Sequence, residues 1–188
     1  ITIIDKKEAL ALAQKRDAHT RQADSPLFGL PFVLKDAYVT KGVRTTAASN
    51  VLGDYIPQYD ATVYRRLIEA GAILIGKMNM DAWGHGSTSE NNDFGPVKNP
   101  YDLARSAGGS GGGPAAAIAS RCTSFAIGED TGGSIRNPAS WCNITALKVT
   151  YGRVSRYGAI PYVSSFDTVG PTAKTAEECG LIIEAIAG

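Results

Sequence analysis

The residues GGSGGGPAAA at positions 108–117 and DTGGSIRNP at positions 130–138 are the most unusual parts of this 188-residue sequence. Glycine contributes 21 of the 188 residues, about 11%, against about 7% in average proteins. Eight of these glycines lie between Gly108 and Gly133. Because the chain is 44% hydrophobic and non-repetitive, this cluster is not typical of a linker. It indicates a place where the backbone adopts an unusual conformation or approaches another group closely.

Each of the two glycine-rich loops suits a particular chemical task. Residues 108–113 contain five glycines and precede a predicted helix of small residues at 114–120, so the backbone around Ser110 can approach other groups closely. Residues 131–134 offer consecutive backbone N–H groups just before a predicted helical turn, as an oxyanion hole requires. The predicted oxyanion donors are the amides of Thr131, Gly132, Gly133 and Ser134.

The sequence around these loops alternates between helical and strand patterns. Helices are predicted at residues 5–18, 60–70 and 175–187, and short apolar strands at 29–35, 72–75, 124–127 and 146–149. A helix followed by a glycine and a buried strand is typical of α/β proteins. We therefore predict an α/β fold with a mixed β-sheet and helices on both faces. No repeat or domain linker interrupts it, so residues 1–188 are assigned to a single domain.

A lysine ends one of the predicted strands. The run GLPFVLKD at positions 29–36 is apolar until Lys35 and Asp36. Taken singly, such a lysine is usually a solvated charge, and a serine among glycines, such as Ser110, is usually part of a turn. Together with Ser134, these two residues suggest a catalytic site, because a neutral lysine replaces histidine in Ser–Lys variants of the catalytic triad. Burial is one way to make a lysine neutral.

Two other motifs are incomplete. GAILIGK at positions 71–77 has the spacing of a phosphate-binding loop, but Met78 stands where that motif needs Ser or Thr, and its inner residues are apolar. The GGSGG around Ser110 has the spacing of the nucleophile elbow of α/β-hydrolases. That elbow needs a later histidine, whereas His19 and His85 both precede the serine. A nucleotide site and a Ser–His–Asp triad are therefore disfavoured.

The composition excludes several further classes. With 19 basic and 18 acidic residues the net charge is +1, unlike a stand-alone nucleic-acid-binding module. No apolar run approaches the roughly 18 residues of a membrane span. Three cysteines, with no C-x-x-C and no histidine at ligand spacing, predict neither a disulfide framework nor a metal site. We expect reduced thiols, no cofactor in this chain and a cytoplasmic protein, with a mitochondrial or plastid form left open.

The two glycine-rich loops resemble the signature of the amidase signature family, and the resemblance covers practically the whole chain. The separations of 75 residues from Lys35 to Ser110 and 24 residues from Ser110 to Ser134 agree with that family's pattern. Within the family, several segments resemble the A (glutaminase) subunits of glutamyl-tRNA(Gln) and aspartyl-tRNA(Asn) amidotransferases. These segments are residues 77–81, 86–91, 94–96 and 98–102.

The resemblance implies an amidase signature fold and a Ser-cisSer-Lys triad. Ser134 would be the nucleophile, and Ser110, preceded by a cis peptide bond, would relay the proton. Neutral Lys35 would be the final base. The chain departs from the family's pattern at Gly111, where a second serine is usual, and at Pro114, where a small polar residue is frequent.

The resemblance also implies a function and partners. The intact protein would hydrolyse glutamine to glutamate and supply ammonia for transamidation of a mischarged aminoacyl-tRNA. Its partners would be B and C subunits, with tRNA contacted mainly through a partner that uses ATP and Mg²⁺. Two alternatives remain: a free-standing amidase acting on small carboxamides, and a catalytically silent half with a structural role. Family domains are more than twice this length, so we expect the N-terminal catalytic portion without the C-terminal substrate-recognition part.

Overall fold

The computed structural model describes residues 2–18 and 25–188, so His19 lies outside the described residues. The strands are β1 (Thr2–Ile3), β2 (Pro31–Lys35), β3 (Ile73–Met78), β4 (Lys98–Asn99), β5 (Asp102–Ser106), β6 (Phe125–Asp130), β7 (Thr145–Ala146) and β8 (Thr168–Ala173). The helices are α1 (Lys6–Asp17), α2 (Thr62–Glu69), α3 (Gly112–Ala119), α4 (Arg136–Trp141) and α5 (Ala176–Ile186). Short 3-10 turns occupy Asn50–Leu52 and Ala82–Gly84.

A mixed sheet forms the centre of the fold, in the strand order β1-β3-β2-β6-β8-β7. Strand β2 runs parallel to both β3 and β6, whereas β1, β7 and β8 pair with their neighbours in antiparallel fashion. Strands β4 and β5 form a separate two-stranded ribbon. Because parallel strands end at the same edge of a sheet, the ends of β2 and β6 bring Lys35 and Asp130 to one place.

Helices cover both faces of this sheet, as predicted. In β2, Phe32 and Leu34 belong to a core shared with α2 and α5, whereas Val33 packs with Ile118 of α3. This alternation follows from the two-residue period of a strand. Phe32 is paired with Phe125 of β6, and their rings stack with centroids 5.3 Å apart. Burial of each such side chain contributes about 1.5–3 kcal/mol to folding.

The predicted helices are confirmed, with small changes at their ends. Helix α1 begins after Asp5, whose carboxylate accepts hydrogen bonds from the amides of Lys7 and Glu8. None of the residues of α1 is buried, so this helix lies at the surface of the fold. Helix α2 is followed by Gly71, whose φ of 86° suits a glycine after a helix end.

The strand predictions are confirmed for β2, β3 and β6 but only partly for residues 146–149, where the strand β7 includes Ala146 alone of that range. Strand β3 contains Gly76 and buried Lys77, so the phosphate-loop spacing belongs to a strand. Strand β8 was not predicted. Its sequence TVGPTA lacks an apolar run, yet all of it is buried because it pairs with β6 on one side and β7 on the other.

Cys122, Cys142 and Cys179 are free thiols, as the sequence predicts. Burial raises the pKa of both Cys142 and Cys179 to about 11, so these two thiols stay protonated at neutral pH. Over residues 2–18 and 25–188, no helix is both long and apolar enough to span a membrane.

Replacing Thr175 with alanine is expected to lower the free energy of unfolding by about 1 kcal/mol. Thr175 Oγ1 accepts a hydrogen bond from the Glu178 amide at 3.1 Å, and the Glu178 carboxylate accepts one from the Thr175 amide at 3.1 Å. Urea unfolding measures the loss. Thr150→Ala is the matched control, because that exposed hydroxyl has no hydrogen bond to the described residues. Equal losses in the two variants would contradict the capping role.

Candidate active site

The side chain of Lys35 is fully buried at the end of β2 and touches two functional groups. Its Nζ lies 2.6 Å from Ser110 Oγ and 3.0 Å from Glu129 Oε1. The structure thus brings together two of the predicted site residues, Lys35 and Ser110, across 75 positions of sequence. The contact with Glu129 was not predicted.

Ser110 lies in the loop between β5 and α3, and the Gly109–Ser110 peptide bond is cis, as the family resemblance implies. The carbonyl oxygen of Ser110 accepts hydrogen bonds from the Asp81 amide at 3.1 Å and from Ser89 Oγ at 3.2 Å. Ser89 Oγ in turn accepts a hydrogen bond from the Gly112 amide at 3.0 Å. These bonds hold the loop by its backbone and leave the Ser110 hydroxyl to Lys35.

The glycines of this loop permit close contacts with neighbouring backbone. A Cβ atom at Gly109 would lie 2.7 Å from the amide nitrogen of Ser89, and one at Gly111 would lie 2.8 Å from the carbonyl oxygen of Ser134. The Gly111 amide donates a hydrogen bond to that same oxygen at 3.1 Å. The predicted close approach of the backbone is therefore observed, and it joins the two glycine-rich loops.

Asp130 organises the loop that carries Ser134. Its fully buried carboxylate accepts hydrogen bonds from the amides of Gly133 at 2.8 Å and Ile135 at 3.1 Å. The guanidinium of Arg136 adds two more, each at 3.0 Å. Burial alone would raise the pKa of Asp130, but hydrogen bonds from Arg136 and the backbone amides outweigh it and lower that pKa.

The predicted oxyanion donors differ in their hydrogen bonding in this structure. The Gly133 amide donates a hydrogen bond to the Asp130 carboxylate at 2.8 Å. The amides of Gly132 and Ser134 make no backbone or side-chain hydrogen bond to another described residue. The Thr131 hydroxyl donates to Asp167, which fixes the start of the loop. The assignment of the amides of Thr131, Gly132, Gly133 and Ser134 as oxyanion donors stays a prediction.

Ser134 borders a cavity of about 290 Å³. It is 9% exposed, whereas Ser110 and Lys35 are completely buried. The other residues that line the cavity are Gly84, Gly86, Ser87, Gly109, Gly132, Gly133, Asn137 and Tyr162. His85 is exposed beside it and packs edge-on against Tyr162, with ring centroids 4.4 Å apart. This geometry places a serine where a small molecule can reach it and the lysine where water cannot.

Sequence reasoning missed Glu129 and Asp130 as parts of the site. The signal was present, because the strand FAIGED ends in two charges just as PFVLKD does at Lys35 and Asp36. Two buried strands with charged ends indicate a shared sheet edge. Within residues 2–18 and 25–188, no group of three His, Cys, Asp or Glu side chains is arranged to hold a metal ion.

Comparison with known proteins finds extensive similarity. The family model described as Amidase matches residues 1–188. The A subunit of glutamyl-tRNA(Gln) amidotransferase from Desulfatibacillum aliphaticivorans is 51% identical over 186 residues, which are 98% of this chain and 38% of that protein. The corresponding protein of Ralstonia nicotianae is 53% identical, with the same coverage. The chain thus spans 38% of the length of these relatives.

Solved structures agree with the fold. The A subunit of glutamyl-tRNA(Gln) amidotransferase from Thermotoga maritima superposes with a TM-score of 0.84 at 38% identity, covering 98% of this chain and 45% of that chain. The peptide amidase of Stenotrophomonas maltophilia superposes with a TM-score of 0.87 at 36% identity, covering 100% of this chain and 40% of that chain. The predicted α/β architecture is confirmed.

Replacing Gly109 with alanine is expected to destabilise the protein by about 1–3 kcal/mol, because the new methyl group would press on the backbone of residues 88 and 89. Gly132→Ala is the matched control in the neighbouring loop. A Cβ there meets nothing within 4 Å, so we expect a change within about 0.5 kcal/mol. Thermal or urea unfolding of both variants tests the comparison, and an equal effect would show that the close contact at Gly109 is unimportant.

Proposed function

The chain belongs to the amidase family, and we propose that the intact protein hydrolyses carboxamides with Ser134 as nucleophile, Ser110 as proton relay and Lys35 as final base. The observation that carries this proposal is the buried 2.6 Å contact between Lys35 Nζ and Ser110 Oγ. The loop of Ser110 contacts the loop of Ser134 through the Gly111 amide, and Ser134 borders the cavity. A lysine buried against one serine hydroxyl, with a second serine on the adjoining loop, fits a Ser–Lys catalytic system.

The proposed reaction proceeds in two halves. In the first, Ser134 Oγ attacks the amide carbonyl carbon while its proton passes to Ser110 and the Ser110 proton passes to unprotonated Lys35. The C–N bond then breaks, and the proton returns through Ser110 to the leaving group, which departs as ammonia. In the second half, water attacks the acyl–Ser134 ester, the carboxylic acid is released and the serine hydroxyl is restored.

The negative oxygen of the tetrahedral intermediate requires hydrogen-bond donors in the cavity. The amides of Gly132 and Ser134, which have no other described acceptor, supply them in this proposal, with the amide of Thr131 beside them. Asp130 contributes indirectly, because its hydrogen bonds to Gly133 and Ile135 set the direction in which this loop presents its amides. Preorganised donors of this kind lower the barrier without reorganisation during the reaction.

For the substrate, we propose the side-chain amide of glutamine. The support is the similarity to subunits named for glutamyl-tRNA(Gln) amidotransferase. In that role the released ammonia would serve transamidation of a mischarged aminoacyl-tRNA, with B and C subunits as partners. A partner protein would bind most of the tRNA and use ATP and Mg²⁺. The near-neutral charge of this chain, +1, is compatible with tRNA being held mainly elsewhere.

A free-standing amidase is the second candidate. The similarity to a peptide amidase over the whole chain favours it, because the same fold serves an enzyme of that name. The residues described here form the proposed catalytic groups common to both candidates. They do not include the remainder of the longer relatives, where a substrate's amino-acid end would be recognised in this proposal. A catalytically silent structural half is the third candidate.

The triad is tested by covalent labelling of the full natural polypeptide with phenylmethanesulfonyl fluoride. We expect Ser134→Ala to abolish labelling and Lys35→Ala to slow it by at least about 10²-fold, because Lys35 Nζ is the described group in hydrogen-bond contact with Ser110 Oγ. Ser165→Ala, an exposed serine away from the cavity, is the matched control and should label as the wild type does. Undiminished labelling of the Lys35 variant would refute the assignment of the base.

The choice between the two enzymes is tested by ammonia release from glutamine and from a simple aliphatic carboxamide. For an amidotransferase component, we expect hydrolysis of glutamine to rise at least about tenfold when candidate tRNA-binding subunits, ATP, Mg²⁺ and mischarged tRNA are added. Turnover of simple amides that is unaffected by those additions would favour the free-standing amidase. Absence of turnover under all of these conditions, in a folded protein, would favour the silent structural half.

A further inference from the structure

Glu129 is a buried acid that the proposed reaction does not use, although it touches the proposed base. We propose that Glu129 is a positioning residue, which holds Lys35 Nζ against Ser110 and whose negative charge sets the pH at which Lys35 can accept a proton. This inference rests on the proposed function of Lys35 and adds a residue to which the triad assigns no role.

The contacts of Lys35 Nζ support the positioning role. The nitrogen lies 3.0 Å from Glu129 Oε1 and 2.6 Å from Ser110 Oγ, so it contacts the carboxyl and the hydroxyl at the same time. Glu129 belongs to β6 and Lys35 to β2, and the two strands pair in parallel. A long lysine side chain has many rotamers, and a fixed partner on a rigid strand selects the one that reaches Ser110.

The carboxyl of Glu129 depends on Lys35 alone, among the described residues, for its hydrogen bonding. Glu129 is 2% exposed, and its Oε2 is buried without a hydrogen-bond partner in this part of the chain. Burial raises the pKa of Glu129, the charge and hydrogen bond of Lys35 oppose that rise, and Asp167 adds to it. Loss of the Lys35 side chain would therefore leave the Glu129 carboxyl without any described hydrogen-bond partner.

Other charged or titratable groups also face Glu129. Asp167 precedes β8, and Arg156 lines with it a cavity of about 30 Å³ that borders Glu129. Tyr38, which follows β2, donates its hydroxyl to the Gly128 carbonyl at 2.6 Å, and burial followed by the charges of Glu129 and Asp167 raises its pKa. None of these groups has a hydrogen bond to the Glu129 carboxyl in the structure, so Lys35 is its direct partner.

The test compares Glu129→Gln with Glu129→Ala in the full natural polypeptide, using the pH dependence of Ser134 labelling by phenylmethanesulfonyl fluoride. Glutamine keeps an oxygen that accepts the Lys35 hydrogen bond but removes the negative charge that favours the ammonium form. Neutral Lys35 then forms at lower pH, so we expect the acidic limb of the rate profile to move down by about 1–3 pH units. Alanine removes the anchor as well and should lower the labelling rate at every pH by about 10²-fold.

Asp36→Asn is the matched control. Among the described residues, Asp36 forms a second buried lysine–carboxylate pair, with its Oδ1 3.1 Å from Lys77 Nζ, and it has no hydrogen bond to Ser110. We expect this variant to lower the melting temperature and to leave the acidic limb in its wild-type position. Glu129→Asp, which keeps the charge on a shorter side chain, should lower the labelling rate but retain the wild-type limb. It serves as the second test if the glutamine variant does not fold.

The outcomes separate this inference from the proposed function. If Ser134→Ala still labels, or Lys35→Ala labels at the wild-type rate, the triad itself is wrong. The role of Glu129 is overturned and the triad stands if Ser134 and Lys35 are both required but folded Glu129→Gln keeps the acidic limb of the rate profile at its wild-type pH. A shift of that limb in Glu129→Asp would lead to the same conclusion. An equal shift in Asp36→Asn would show a general effect of buried charge and would also overturn the role of Glu129.

Discussion

The buried side chain of Lys35 constrains the rest of the site. Removing an unpaired charge from water costs several kcal/mol, so a lysine at the end of β2 requires an acid within reach of its tip. The parallel pairing of β2 with β6 supplies one, because both strands end at the same sheet edge and β6 ends in Glu129 and Asp130. The same edge receives the Ser110 loop. Sheet topology and charge burial therefore fix where the proposed chemistry occurs.

The glycines are needed because two loops must reach that crowded edge together. One loop presents Ser110 to Lys35. The Gly111 amide of this loop donates a hydrogen bond to the Ser134 carbonyl of the other loop. A side chain at Gly111 would collide with that carbonyl. The second loop is folded around the Asp130 carboxylate, which accepts the hydrogen bonds of its amides.

How far the sequence predicts this arrangement depends on the kind of interaction. Lys35 was predictable because an apolar run that ends in a charged residue indicates the end of a buried strand. The α/β fold was predictable because such strands alternate with helical patterns along the sequence. Strand β8 was not, since TVGPTA becomes a strand only when β6 and β7 offer it hydrogen bonds. The direction of the Gly133 amide depends on the loop conformation around Asp130, which residue order does not reveal. Glu129 lay one residue before the recognised motif and was overlooked, although its strand carried the signal used for Lys35.

Two lysines at this sheet edge show how neighbours decide a role. Lys77 Nζ forms an ion pair with Asp36 Oδ1 at 3.1 Å and donates hydrogen bonds to the Tyr38 carbonyl at 2.7 Å and to Thr45 Oγ1 at 2.8 Å. These contacts hold Lys77 to the segment that follows β2, which suits the anchoring of a loop. Lys35, on the adjacent strand, meets one acid and one hydroxyl that itself has a proton to give. Both lysines are buried and lie on adjacent strands. Their different partners separate a structural cation, Lys77, from a candidate base, Lys35.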